Sequence, residues 1–216
     1  VETLRNVNLL ALDNVTHRFA DGTVGIRNAS LTIDSGEFLV IAGRNGSGKT
    51  VLLHHMVGLL SPTEGTITYR GKPINEQISV VRRNVGLVFQ NPDDQFLGHT
   101  VAEDVAVGPE NLGLEREEID RRIRETLERI GISGLADARP YFLSGGEKRK
   151  AALAGALAMH PEIVLFDEPF IGLDLPGVRM VLETIIDLHQ TGTTIVVISH
   201  DVEKMLAHAD RLVIMA

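Results

Sequence analysis

The chain has 216 residues, 44% of them hydrophobic and 23% charged, a composition of folded proteins rather than of disordered or fibrous ones. Acidic side chains outnumber basic ones 29 to 21, and the formal charge of -8 argues against a broad phosphate-backbone footprint, so no nucleic-acid partner is expected. With zero cysteines there is no disulfide framework, thiolate metal site or cysteine nucleophile, which fits a reducing compartment.

The chain opens on Val1, to which no chemistry is attached. Residues 1–12 mix Glu2, Arg5 and Asn6 among apolar ones and lack the pattern of a secretory leader, so export is not expected. Short β-branched or apolar runs at residues 9–12, 29–33, 38–42 and 66–69 are separated by turn signals at Asp21-Gly22, Ser35-Gly36 and Gly71-Lys72-Pro73. They predict several short antiparallel strands, and a helix is predicted over residues 51–59.

From residue 91 to about 160 the pattern is mostly helical, with predicted helices at 115–130 and 144–159. Thr100-x-x-Glu103 and Ser144-x-x-Glu147 read as capping boxes at two helix starts. Residues 151–159 form the longest apolar stretch, broken by Gly155 and far short of the ~18 residues that cross a membrane. Nearly continuous apolar runs at 86–89, 163–166, 194–198 and 212–215 predict central strands buried on both faces. Beyond Pro176, Val178, Val181, Leu182, Ile185 and Ile186 keep helical spacing up to Gly192, so this helix should cover one face of the sheet. The alternation gives an α/β fold class: a mostly parallel central sheet, an antiparallel β subdomain and an inserted helical subdomain. No repeat or linker marks a second domain, so residues 1–216 read as one.

Gly43-Arg44-Asn45-Gly46-Ser47-Gly48-Lys49-Thr50 matches G-x-x-x-x-G-K-[ST] between a predicted strand and a predicted helix, the context this phosphate loop requires. Its glycines let backbone N–H groups turn onto phosphate oxygens, and the helix N terminus adds positive potential. Lys49 then reaches the β- and γ-phosphates and Thr50 ligates Mg²⁺, so a nucleoside triphosphate with magnesium is the expected ligand. Ile163-Val164-Leu165-Phe166-Asp167-Glu168 ends an apolar strand in two carboxylates. Asp167 is placed to hold the metal through water, and Glu168 to polarise or orient the attacking water.

At Leu143-Ser144-Gly145-Gly146-Glu147 the sequence resembles the signature of ABC-type ATPases, at about that family's spacing before the acidic strand. Ser144, the two glycines and a helix N terminus also read physically as a second anion site. The resemblance implies a P-loop NTPase of ABC type in which this site closes on the γ-phosphate held by a partner's loop, sandwiching ATP in a head-to-tail dimer. It also implies that Gln90 touches Mg²⁺ and relays movement to a membrane partner, and that His200 contacts the γ-phosphate. By the same resemblance Asp174, in Gly172-Leu173-Asp174, lies at the dimer interface. Phe19, in Thr16-His17-Arg18-Phe19, resembles the aromatic that stacks on adenine, with core packing as the alternative. Lys49, Glu168 and His200 are then the catalytic residues. The resemblance spans residues 10–216.

Within that superfamily, Val88-Phe89-Gln90-Asn91-Pro92-Asp93-Asp94-Gln95-Phe96 and Asp104-Val105-Ala106-Val107-Gly108-Pro109-Glu110-Asn111 resemble ATPase subunits of energy-coupling factor importers, as do Lys148-Arg149-Lys150 and Asp167-Glu168-Pro169. Those importers take up cobalt, nickel, biotin or other vitamins. The implied partners are a second ATPase subunit, with identical copies favoured and a homologue open, a transmembrane coupling protein and a substrate-binding membrane subunit. The implied place is the cytoplasmic face of the cell membrane. Asp93 and Asp94 read either as a solvated acidic turn or as carboxylates that pair with basic residues of a docking membrane subunit.

The chain departs from the family pattern at Phe170 and Ile171, and at Glu147 where Gln is frequent; neither change touches an expected phosphate or metal ligand. It stops at Ala216, directly after a predicted strand, so the C-terminal extension of some relatives is absent or lies outside it. Two rival readings are a soluble ABC ATPase of DNA repair or translation and a nucleotide-gated scaffold without hydrolysis. The first usually carries insertions or tandem cassettes that 216 residues do not accommodate. Glu168 and His200 argue against the second.

Overall fold

Along the later strands successive side chains alternate between two cores, and that alternation organises the molecule. The computed structural model describes residues 8–215. The reading of the chain start as leaderless rests partly on residues 1–7, which lie outside the described residues, as does Ala216.

In chain order the elements are β1 (Asn8–Arg18), β2 (Val24–Asp34), β3 (Phe38–Gly43), α1 (Lys49–Met56), β4 (Glu64–Tyr69), β5 (Lys72–Pro73), α2 (Ile78–Asn84), β6 (Val85–Val88), α3 (Val101–Asn111), α4 (Arg116–Ile130), α5 (Gly145–Leu157), β7 (Ile163–Asp167), α6 (Leu175–Gln190), β8 (Thr194–Ile198) and β9 (Arg211–Met215). One sheet has the order β2-β1-β4-β5 and is antiparallel; the other has the order β6-β7-β8-β3-β9 and is parallel. The expected α/β architecture, with both sheets and the helices α3 to α5 inserted between β6 and β7, is what the chain adopts.

On β3, β7 and β8 the residues Phe38, Val40, Val164, Phe166, Ile195 and Val197 face a core shared with α3 to α6. Their neighbours Leu39, Ile41, Ile163, Leu165, Val196 and Ile198 face α1 and the antiparallel sheet. A period of two on a sheet covered on both sides explains why these strands read as unbroken apolar runs. Val181, Ile185 and Leu188 place α6 on the first face, as its helical spacing predicts. Both capping boxes form: Thr100 Oγ1 accepts from Glu103 N–H, and Ser144 Oγ from Glu147 N–H.

Three readings need correction. Residues 212–215 were expected to be buried on both faces, but β9 is the outermost strand, paired with β3 alone, and Ile214 is 72% exposed. β1 and β2 extend well past the runs at 9–12 and 29–33, because bulges at Asn14 and Asn28, both at positive φ, carry the pairing on where the apolar runs stop. The run at 38–42, expected among the early antiparallel strands, is instead β3 of the parallel sheet, between β8 and β9, because it pairs with strands from the far end of the chain.

Because the central strands are parallel, their C-terminal ends all open on one edge, where ligands bind in sheets of this kind.

Candidate active site

Three of those strand ends continue side by side past the sheet. Asp167 and Ile41 both register with Ile198, the Glu168 N–H donates to the Ile198 carbonyl at 2.9 Å, and the Ser199 N–H donates to the Ile41 carbonyl at 3.2 Å. The loop after β3, the carboxylates at the end of β7 and the Ser199-His200 pair after β8 therefore meet in one cleft of about 490 Å³. Its walls include Asn45, Gly46, Gly48, Lys49 and Thr50 from the loop, Asp167, Glu168 and His200 opposite, and Gln90 and Phe19 at the sides.

In the loop Gly46 and Gly48 sit at φ 83° and 88°. A Cβ on Gly48 would lie 2.2 Å from the Gly25 carbonyl oxygen, so only glycine fits there. Lys49 is buried, and its Nζ donates to the carbonyls of Gly43 at 2.9 Å and Arg44 at 3.1 Å, which spans the ammonium across the loop. Gly48 gives α1 no side-chain cap, and its first turn holds no acid. Its leading N–H groups and dipole are thus open to an anion. Ser47 Oγ is buried there without a hydrogen-bond partner.

Across the cleft Thr50 Oγ1 donates to Asp167 Oδ2 at 2.8 Å, while Asp167 Oδ1 is buried without a partner. Burial pushes the Asp167 carboxyl above its ordinary range; the Thr50 hydroxyl opposes this and Glu168 adds to it. A hydroxyl bonded to a carboxylate whose other oxygen is orphaned forms a hard oxygen donor set that suits Mg²⁺.

Glu168 is buried at φ 46°, a strained backbone for a residue with a side chain. Its Oε2 accepts from His200 Nδ1 at 2.9 Å, from His200 N–H at 3.3 Å and from Ser199 Oγ at 3.2 Å. With Nδ1 as donor, Nε2 is the nitrogen left for another partner.

The expected signature residues and Asp174 do not line this cleft. Ser144 caps α5, its hydroxyl donating to Glu147 Oε2 at 2.7 Å, and these contacts hold the Glu147 carboxyl below its usual range. Gly145 and Gly146 face open space, and Asp174 caps α6 by accepting from the Gly177 N–H at 2.9 Å. Phe19 is 40% exposed and edge-on to His17 at 4.7 Å, a cleft wall rather than a core residue. The Asp93 carboxylate already accepts from Lys148 Nζ at 2.6 Å on the 3-10 turn Pro92–Asp94, so it is not simply solvated. Sequence reasoning missed Ser199, whose role depends on strands that meet only in the fold, and singled out Arg149 only as part of the run Lys148-Arg149-Lys150.

Residues 26–171 match the family model for the ABC transporter. The chain belongs to the ABC transporter family. As an ABC cassette it binds and hydrolyses ATP. It is 43% identical to the energy-coupling factor transporter ATP-binding protein EcfA of Methanocaldococcus jannaschii, over 92% of this chain and 72% of that protein. Among solved structures it resembles cbiO1 from Clostridium perfringens, part of the ABC transporter complex cbiONQ, with a TM-score of 0.86 and 33% identity over 97% of this chain and 85% of that one. A dimeric ATP-binding cassette in a post-hydrolysis state with ADP and Pi gives a TM-score of 0.85 and 29% identity, over 95% and 94% of the two chains. No described helix of this ABC subunit is long and apolar enough to cross a membrane.

Proposed function

We propose that this chain is the ATPase subunit of an energy-coupling factor importer for a metal ion such as cobalt or nickel, or for a vitamin, acting at the cytoplasmic face of the membrane. The observation that carries its chemistry is the buried Glu168 carboxylate, gripped by Ser199 and His200 opposite the Lys49 loop. The loop N–H groups and Lys49 hold the β- and γ-phosphates, and Phe19 stacks on the adenine. Thr50 and Asp167, with Gln90, would hold Mg²⁺, which when bound neutralises charge on the phosphate oxygens. Glu168 orients a water molecule and takes its proton as the water oxygen bonds to the γ-phosphorus. The β–γ bridging oxygen leaves on ADP, and His200 steadies Glu168 and contacts the γ-phosphate.

Ser144 and Asp174, outside the cleft of their own chain, serve the cleft of a second subunit in a head-to-tail dimer, most simply an identical copy. There Ser144 must exchange its bond to Glu147 for one to phosphate. Residues 1–216 act as one ATP-binding domain, and the helical part at 91–160 carries the signature. Closure on ATP and opening after hydrolysis drive a transmembrane coupling protein, which docks near Gln90 and Asp94 and works with a separate substrate-binding membrane subunit. Nucleic acid has no part in this cycle.

Glu168→Gln tests the chemistry. The variant should bind ATP and dimerise by light scattering while hydrolysis falls at least ~100-fold. Wild-type turnover would remove Glu168 from its role. Purification from membranes tests the assignment: hydrophobic partners should co-isolate, and recovery with nucleic acid would overturn it.

A further inference from the structure

The signature helix has a second, buried link to the cleft. Arg149, in the second turn of α5, is 4% exposed. Its Nη1 donates to the Phe89 carbonyl at 2.9 Å and its Nη2 to the Ile171 carbonyl at 3.2 Å. Phe89 immediately precedes Gln90, and Ile171 lies three residues beyond Glu168 and lines the cleft. The guanidinium has no carboxylate within ion-pair distance among the described residues, its Nε has no hydrogen-bond partner, and burial lowers its pKa. A charge this buried without a counter-charge is a liability for folding, and an apolar side chain would fill the same space without it. What an apolar side chain, or lysine, lacks is a rigid fork of donors that reaches two carbonyls at once.

The Phe89 peptide is also held from its other side. Its N–H donates to Gln95 Oε1 at 3.4 Å, and Gln95 Nε2 donates to the Ala152 carbonyl on α5 at 2.7 Å. The backbone leading into Gln90 is thus tied to α5 twice, while the segment after Glu168 is tied to it through the same guanidinium. We propose that Arg149 is a positioning residue for hydrolysis: its guanidinium locks Gln90 and residues 168–171 to the signature helix, so that metal-side and water-side groups reach their working positions together. This rests on the roles assigned above to Gln90 and Glu168.

Steady-state hydrolysis by wild type, Glu168→Gln, Arg149→Lys and Arg149→Ala, with binding of a fluorescent ATP analogue, tests it. Lysine keeps the charge and stem but loses the fork. Since a misplacement of about 1 Å costs up to ~100-fold, kcat of Arg149→Lys should fall ~10- to 100-fold. KM and analogue affinity should stay within about two-fold, because Arg149 touches no phosphate-loop residue. In Arg149→Ala, guanidinium at low, non-denaturing concentration should restore part of kcat, and urea at the same concentration should not. Wild-type kcat in Arg149→Lys overturns the proposal, and so does a loss of ATP affinity in proportion to kcat. Should Arg149→Ala not fold, Arg149→Lys decides; if that variant also fails to fold, Arg149 is a stability residue and the idea falls. Hydrolysis by Glu168→Gln would instead remove the underlying assignment, which separates the two failures.

Discussion

The imidazole Nδ1 of His200 lies 2.9 Å from Glu168 Oε2, the same oxygen that accepts from the His200 N–H and the Ser199 hydroxyl. Three donors on one oxygen fix the carboxylate's rotation and leave Oε1 for the water molecule of the proposed mechanism. His200→Ala should therefore lower kcat by about 100-fold with ATP affinity nearly unchanged, and Ser199→Ala should lower it by ~10-fold. Steady-state kinetics with a separate binding measurement reads both. A rise in KM with kcat preserved would show that these residues serve binding instead.

Gly46 and Gly48 share a left-handed backbone but not a neighbourhood. A Cβ on Gly46 meets nothing within 4 Å, whereas one on Gly48 meets backbone at Gly25 and the Ile26 side chain. The conformational penalty of roughly 1–2 kcal/mol applies to both alanine variants. At roughly 2–4 °C per kcal/mol for a chain of this size, Gly46→Ala should melt a few degrees below wild type. Gly48→Ala should melt lower still and lose ATP binding, because the Gly25 carbonyl must move. Equal melting of the two would mean that the contact with Gly25 is not made.

What the sequence discloses of this site depends on how local each device is. The phosphate loop and the Ser144 cap are written in contiguous residues, since their geometry needs only nearby backbone, and both are placed as read. Residues 194–198 are a strand with the bounds their apolar run predicts. By contrast, the strain at Glu168 is held by Ser199 and His200, some thirty positions away, and nothing near Glu168 announces it. Arg149 is disguised by its flanking lysines, because helical sequence alone does not tell which of three cations turns inward. The exposure of β9 follows from its place at the sheet edge, and an apolar run carries no sign of that.

Tyr69 is 1% exposed and donates its hydroxyl to the Glu162 carboxylate, which also pairs with Arg70, so the end of β4 is tied to the residue before β7. Burial above all, with the Glu162 bond next, pushes its phenol from 10.0 up to about 12. The unfolded chain releases this proton from about pH 10 while the folded chain keeps it to about 12. The native state thus holds more protons in that window, and its stability falls as pH rises through it. Melting temperature should drop across this range in wild type and less steeply in Tyr69→Phe. Tyr141 is the other of two tyrosines, so in Tyr141→Phe the phenolate absorbance reports Tyr69 alone, with a midpoint near 12. A midpoint near 10 would mean that Tyr69 is neither buried nor bonded to Glu162.

Lys49 lines the cleft and Ser144 does not, an arrangement that a head-to-tail dimer turns into a mixing experiment. Lys49→Ala removes the buried ammonium of the loop and should bind ATP at least ~10-fold more weakly; Ser144→Arg should bind ATP but not close. Each alone is inactive, because both of its composite sites carry a defect. In a mixed dimer one site carries both defects, and the other pairs the intact loop of the Ser144→Arg subunit with the intact signature of the Lys49→Ala subunit. Mixing the two inactive proteins should therefore restore hydrolysis, reaching a maximum near equal proportions as mixed dimers peak. If Lys49 and Ser144 instead served the same subunit's site, every site in every mixture would be defective. Activity would then stay at background whatever the ratio.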